Sequence, residues 1–190
     1  MGAKKGISTT GQFTNKDLSS GLSDSSVRAK QYDIANRGGS QQLSEAEVAY
    51  QNTRRANHLL NPYRATFKSP TVKLSRIRKG LDAQAITDLI EISGATQATV
   101  ASILDLTEPT LRKHIKAGKE LNTGLSEHIL QLFQLFDKGM DSFGSLEEFK
   151  NWMAHESIAL SARPIEVLDT ITGINMVMDE LIRIDYGITV

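Results

Sequence analysis

Gln97-Ala98-Thr99-Val100-Ala101-Ser102-Ile103-Leu104-Asp105-Leu106-Thr107-Glu108-Pro109-Thr110-Leu111-Arg112-Lys113-His114-Ile115-Lys116-Ala117 is the stretch on which the reading of this chain turns. Thr96 can cap a short helix through Leu104, and Thr107 a second through Ala117, because a threonine hydroxyl accepts from the unpaired N–H groups of a first helical turn. Gly118 supplies the stop. Two short helices with a three-residue turn, small Ala101 where they cross and Leu106 buried make a helix-turn-helix pattern. If Leu111 and Ile115 face the core, Pro109, Lys113 and Lys116 face outward, flanked by Thr110 and Arg112. A recognition helix offers such a face to a major groove, so Thr110, Arg112, Lys113 and Lys116 are the candidate DNA-binding residues. Two features oppose sequence-specific reading: Asp105 at a turn position that often holds glycine, and Glu108 near the path of the phosphates. Aspartate tolerates left-handed backbone and a carboxylate can accept from cytosine N4. The competing reading is a structural helical hairpin.

Helical periodicity continues on both sides. Leu81, Ala85, Ile86, Leu89 and Ile90 form one apolar stripe upstream. Downstream, Leu125, Ile129, Leu132, Phe133 and Phe136 mark a longer helix expected to stop near Gly139. Ser145-Leu146-Glu147-Glu148 has the form of a capping box and starts a helix containing Phe149, Trp152 and Met153. Pro164 suits the first position of a short helix. The last helix is expected from about Gly173 to Tyr186, with Ile174, Val177, Leu181 and Ile184 on one face and Gly187 as the stop. No convincing strand pattern occurs, and the expected fold class is all-α.

The N-terminal side reads differently. Ser44 and Glu47 form another capping box, opening a mostly polar helix over 44–60 that must lean on something else to persist. Asn61-Pro62 ends it, and Ser69-Pro70 punctuates a basic link carrying Lys73, Arg76, Arg78 and Lys79. Residues 1–40 contain 18 Gly, Ser, Thr and Asn with scattered apolar residues, so burial cannot offset the entropy of ordering them. Residues 1–78 are therefore expected to be a basic extension, disordered apart from that helix.

Composition sets the outer limits. With 190 residues, 39% hydrophobic and 23% charged, the chain suits one ordinary domain plus a tail or two small domains. The zero net charge conceals a division: residues 1–80 carry 14 Lys and Arg against 5 Asp and Glu, and residues 81–190 carry 8 against 17. A basic segment is the footprint of a polyanion binder or a solvated tail. No apolar run reaches the ~18 residues of a membrane helix, and no signal-peptide pattern opens the chain, so a cytoplasmic protein without membrane contact is expected.

Catalytic signals are weak. The chain has no cysteine, which excludes disulfides and thiolate chemistry. His58, His114, His128 and His155 lie far apart, without metal-ligand spacing. Asp137 and Asp141 flank Gly139 and read as a helix end rather than a metal site. No phosphate loop or nucleophile elbow occurs. No enzyme activity, catalytic residue, metal or cofactor is expected.

The C-terminal segment is the most specific. Arg163-Pro164-Ile165-Glu166-Val167-Leu168-Asp169-Thr170-Ile171-Thr172-Gly173-Ile174 is followed by Leu181-Ile182-Arg183-Ile184-Asp185-Tyr186-Gly187-Ile188. This proline, Leu-Asp-Thr, helix-opening glycine and Arg-Ile-acidic-aromatic-Gly ending closely resembles the toxin-binding domain of the Xre/MbcA/ParS family of bacterial antitoxins. The helix-turn-helix region resembles the family's N-terminal half, so the likeness covers about residues 80–190. It implies a helix-turn-helix domain over 79–138 and a toxin-binding domain over 139–190. It further implies a RES-domain toxin partner that degrades NAD or modifies proteins with it, operator DNA, repression of its own operon, and a homodimer within a larger complex. The residues it points to for toxin binding are Arg163, Asp169, Thr170, Arg183, Asp185, Tyr186, Gly187, Ile188, Thr189 and Val190. The alternative is a stand-alone helix-turn-helix transcription regulator without a toxin.

Overall fold

The computed structural model describes residues 44–187; the readings of residues 1–43 and of Ile188–Val190 fall outside them. Among the described residues, nine α-helices and one 3-10 turn form in chain order: α1 (Glu45–Leu60), α2 (Arg64–Lys68), α3 (Pro70–Lys79), α4 (Gln84–Ser93), α5 (Gln97–Ile103), α6 (Glu108–Ala117), α7 (Thr123–Phe143), α8 (Leu146–Ala154), the turn Pro164–Val167, and α9 (Ile171–Asp185). No strand occurs among the described residues; a lone antiparallel bridge joins Ser157 and Ala162. The fold is all-α.

Local chemistry sets most helix starts. Ser44, Thr96, Thr107, Asn122, Ser145 and Thr170 each accept a backbone N–H from the first turn of the helix they precede. Gly94, Gly118 and Gly144 end α4, α6 and α7 in left-handed conformation.

The central element is α7. Its buried Leu125, Ile129, Leu132, Phe133 and Phe136 are surrounded by α1, α3, α4, α8 and α9. The helix does not stop at Gly139 but continues one turn further. The glycine is there for packing: a Cβ at 139 would lie 2.4 Å from the Phe149 ring of α8. Phe149 also meets Phe136 edge-on at 5.5 Å and stacks on Trp152 at 6.1 Å. The boundary expected at 138/139 thus lies inside one continuous helix.

The N-terminal helices belong to the folded body. What read as a basic link is α2 and α3, the latter capped by Ser69 with Pro70 at its first position. The mostly polar α1 has the support it needs: Ala56 and Leu60 are buried, Asn52 donates to Glu147 at 3.1 Å, and Thr53 Oγ1 accepts the Leu146 N–H at 3.0 Å. Arg55 pairs with Glu91 on α4, and Arg64 donates to Asp137 on α7. Tyr63 donates to the buried Asp88 carboxylate at 2.7 Å, whose other oxygen accepts from Gln84 at 2.9 Å. Residues 44–80 hold 8 Lys and Arg against 2 Asp and Glu, so most of the N-terminal basic excess sits on folded helices.

Candidate functional site

In the helix-turn-helix segment α5 and α6 pack on each other, with Ala101, Leu104 and Leu111 buried. Leu106 is only half-buried; Leu104 fills the position expected of it. The turn closes through Asp105 N–H to Ser102 O at 3.1 Å and Leu106 N–H to Ala101 O at 2.8 Å. Asp105 adopts φ +52, the left-handed backbone that aspartate tolerates.

The four candidate DNA residues are not equivalent. Lys113 and Lys116 are exposed and make no ion pair with a described residue. Arg112 is committed within the motif, pairing with Glu108 and donating to Gln97 at 3.1 Å, which bridges α6 to the start of α5. Glu108, read as an obstacle to phosphate, thus has its own cation. Thr110 is half-buried and shares a hydroxyl contact of 2.8 Å with the capping Thr107.

In the C-terminal half, Arg163 and Glu166 close the 3-10 turn as a pair, and the Arg163 guanidinium holds the Glu166 carboxyl below its ordinary value. Asp169 is exposed and lines a small cleft with Thr99, Ser102, Ile103 and Ile165. Thr170 accepts the Gly173 N–H at 3.0 Å as the cap of α9. Gly173 has no room for a side chain, since a Cβ would fall 1.7 Å from the Val167 carbonyl oxygen. His128 Nε2 meets the Leu168 carbonyl at 2.8 Å, fastening the same segment to α7.

At the other end of α9, about 20 Å away for a helix of this length, Asp185 pairs with Lys138 of α7, which holds its carboxyl below the ordinary value. Arg183 pairs with Glu180, Tyr186 is exposed, and Gly187 has φ +69. The C-terminal candidates therefore form two groups at opposite ends of α9, with Ile188–Val190 outside the described residues. Ile174, Val177 and Leu181 face the body as expected; Met176, Ile182 and Tyr186 are exposed on the opposite arc.

Residues 73–134 match the antitoxin Xre-like helix-turn-helix domain. Residues 138–187 match the antitoxin Xre/MbcA/ParS C-terminal toxin-binding domain. The chain belongs to the Xre antitoxins. None of the curated proteins matches it. The antitoxin carries its DNA-binding and toxin-binding domains in succession, joined through α7, which the two matches share.

Three features of the antitoxin's surface escaped the sequence reading. The first is the exposed basic end of α3, whose signal was present in Ser69-Pro70 as a helix start. The second is the apolar outer arc of α9. The third is Ile158, 83% exposed at the tip of the turn closed by the Ser157–Ala162 bridge, where Ser161 adopts φ +50. No helix of the described residues is long and apolar enough to cross a membrane. No group of three or more His, Asp or Glu among them could hold a metal.

Proposed function

We propose that this antitoxin binds and inhibits a RES-domain toxin that consumes NAD, and represses its own operon through α6, acting as a cytoplasmic homodimer within a larger complex. The observation that carries the reading is the fusion on one helix, α7, of an Xre-like helix-turn-helix domain and a toxin-binding domain. Lys113 and Lys116 are assigned to phosphates because they are exposed and have no carboxylate partner among the described residues. Thr110 and Arg112 serve chiefly to hold the motif in shape.

On the toxin-binding side, the outer arc of α9 has the composition of a partner surface, with Met176, Ile182 and Tyr186 among Asn175, Asp179 and Arg183. Arg183, Tyr186 and Gly187, followed by Ile188–Val190, are assigned to the contact that blocks the toxin's NAD pocket. Asp185 positions that end through Lys138. Arg163, Asp169 and Thr170 form a second contact at the start of α9. Burying two aliphatic side chains of the C-terminal end in the toxin's pocket stabilises the complex by about 3–6 kcal/mol before entropic costs.

Co-expression with a neighbouring RES-type reading frame, and NAD consumption by the purified toxin with and without antitoxin, test this reading. Rescue of growth and suppressed NAD loss are expected. Operator binding without either would favour the stand-alone regulator.

A further inference from the structure

Ion pairing divides the cations of the described residues in two. Arg55, Arg64, Arg112, Lys138, Lys150, Arg163 and Arg183 all have carboxylate partners. Apart from Arg54 and Lys68, the exposed cations without one are Arg78, Lys79, Lys113, Lys116 and Lys119. Three follow or lie on α6, and two end α3.

The fold brings those two chain segments together. Gly80, at φ +92 directly after α3, lies so close to the chain leaving α6 that a Cβ would sit 2.6 Å from the Leu121 carbonyl oxygen and 3.4 Å from Glu120 Cβ. The Leu121 N–H donates to the Leu81 carbonyl at 2.7 Å, and the Leu81 N–H donates to Ser126 Oγ at 2.9 Å. Lys79 and Lys119 each lie next to this junction in the chain. A shallow cleft on α3 adds the hydroxyls of Thr71 and Ser75 beside Arg76 and Lys79. Charge left unneutralised by the protein, with hydroxyl donors alongside, suits a polyanion backbone.

We infer that the end of α3, through Arg78 and Lys79 acting with Lys119, is a second DNA-backbone contact that extends the α6 surface across the Gly80 junction. The inference rests on the DNA-binding reading of α6 and adds to it a phosphate contact outside the two motif helices. Such a contact fixes register on the duplex without reading bases, so it contributes to specific and non-specific binding alike. Two carboxylates adjoin it: Glu120, and Asp82, which accepts the Gln84 N–H at 2.8 Å as a local cap. Glu120, exposed at the junction, opposes the phosphate.

The experiment is a salt titration of the full chain by mobility shift. The probes are the duplex from immediately upstream of its own reading frame and an unrelated duplex of equal length. Arg78→Gln with Lys79→Gln is expected to lower the slope of log affinity against log salt by about 0.9 for each phosphate no longer neutralised, on both probes. The charge-retaining pair Arg78→Lys with Lys79→Arg is expected to restore the slope. That separates phosphate binding from a purely structural role in α3, which thermal melting of each variant reads independently.

Glu120→Gln is expected to tighten binding, and tests the same surface should the double glutamine variant fail to fold. Unchanged slopes and affinity in these variants, with binding abolished in Lys113→Ala/Lys116→Ala, overturn the inference and leave the DNA-binding reading standing. No binding of either duplex by the unaltered chain overturns both. Weakened toxin binding with unchanged DNA binding assigns the surface to the protein partner and overturns the inference as well.

Discussion

Asp88 shows how a single buried carboxylate ties the N-terminal helices to the helix-turn-helix domain. Its oxygens are shared between Tyr63 and Gln84, and burial together with this carboxylate pushes the Tyr63 phenol far above its ordinary value. Tyr63→Phe removes one donor without opening a cavity, so a loss of about 1.5–3 kcal/mol is expected in chemical denaturation, the range for hydrogen bonds to charged groups. Gly173→Ala has a different cause and a larger effect. The new methyl meets a backbone carbonyl rather than a flexible side chain, so the 3-10 turn must separate from α9. A cost at or above the roughly 1–3 kcal/mol of ordinary overpacking is expected, with loss of toxin binding in a pull-down. The Asp185–Lys138 pair carries a pH dependence. Its carboxyl is depressed in the fold, so its contribution is complete above the ordinary carboxylate value of about 4 and disappears as the pH falls through the depressed value. Protection factors of the amides in the last turn of α9, corrected for the intrinsic pH dependence of exchange, are expected to fall on acidification over that range, and Asp185→Asn to remove the dependence.

At the scale of the element, α6 gives the plainest test of function. Lys113→Ala with Lys116→Ala is expected to weaken operator binding and flatten its salt dependence by about 0.9 per phosphate released, measured by mobility shift. Arg112→Ala, in contrast, is expected to show up first in thermal stability, because its guanidinium joins Glu108 and Gln97. Elements announced by their own side chains were legible: Ser44, Thr96, Thr107 and Ser145 cap where their hydroxyls predicted, and the exposure of Lys113 and Lys116 followed from the phase of Leu111 and Ile115. Elements decided by distant partners were not. Gly139 carries the local signature of a helix end, and only the Phe149 ring explains why a glycine stands there inside the helix. The basic run before Gly80 lacked an apolar stripe of its own, since Ile77 alone is fully buried on α3. The Glu108–Arg112 pair has the i,i+4 spacing of a helix ion pair and was open to reading from sequence, whereas nothing local to Asp185 revealed its partner Lys138 on α7.

Across the whole molecule, α1 and the Tyr63 that follows it bridge both domains, reaching Glu91 and Asp88 in one and Glu147 and Leu146 in the other. A chain beginning at Leu43 keeps every helix described above, and its melting by circular dichroism is the reference for a shorter one. One beginning at Lys79 is expected to lose cooperative melting, because it uncovers the core where Ala56, Leu60, Tyr63 and Ile77 were buried. Its failure to neutralise a toxin would then reflect instability rather than the absence of a toxin-binding surface. The double membership of α7 bears on how such proteins can diversify. A recombination crossover placed within residues 123–143 would splice a foreign half-helix onto a register already chosen by Leu132, Phe136 and Gly139, mismatching one of its two faces. Crossovers at the Asn122 cap or the Gly144 stop pass the helix on intact, and chimeras joined there are the ones expected to fold while exchanging toxin specificity between lineages.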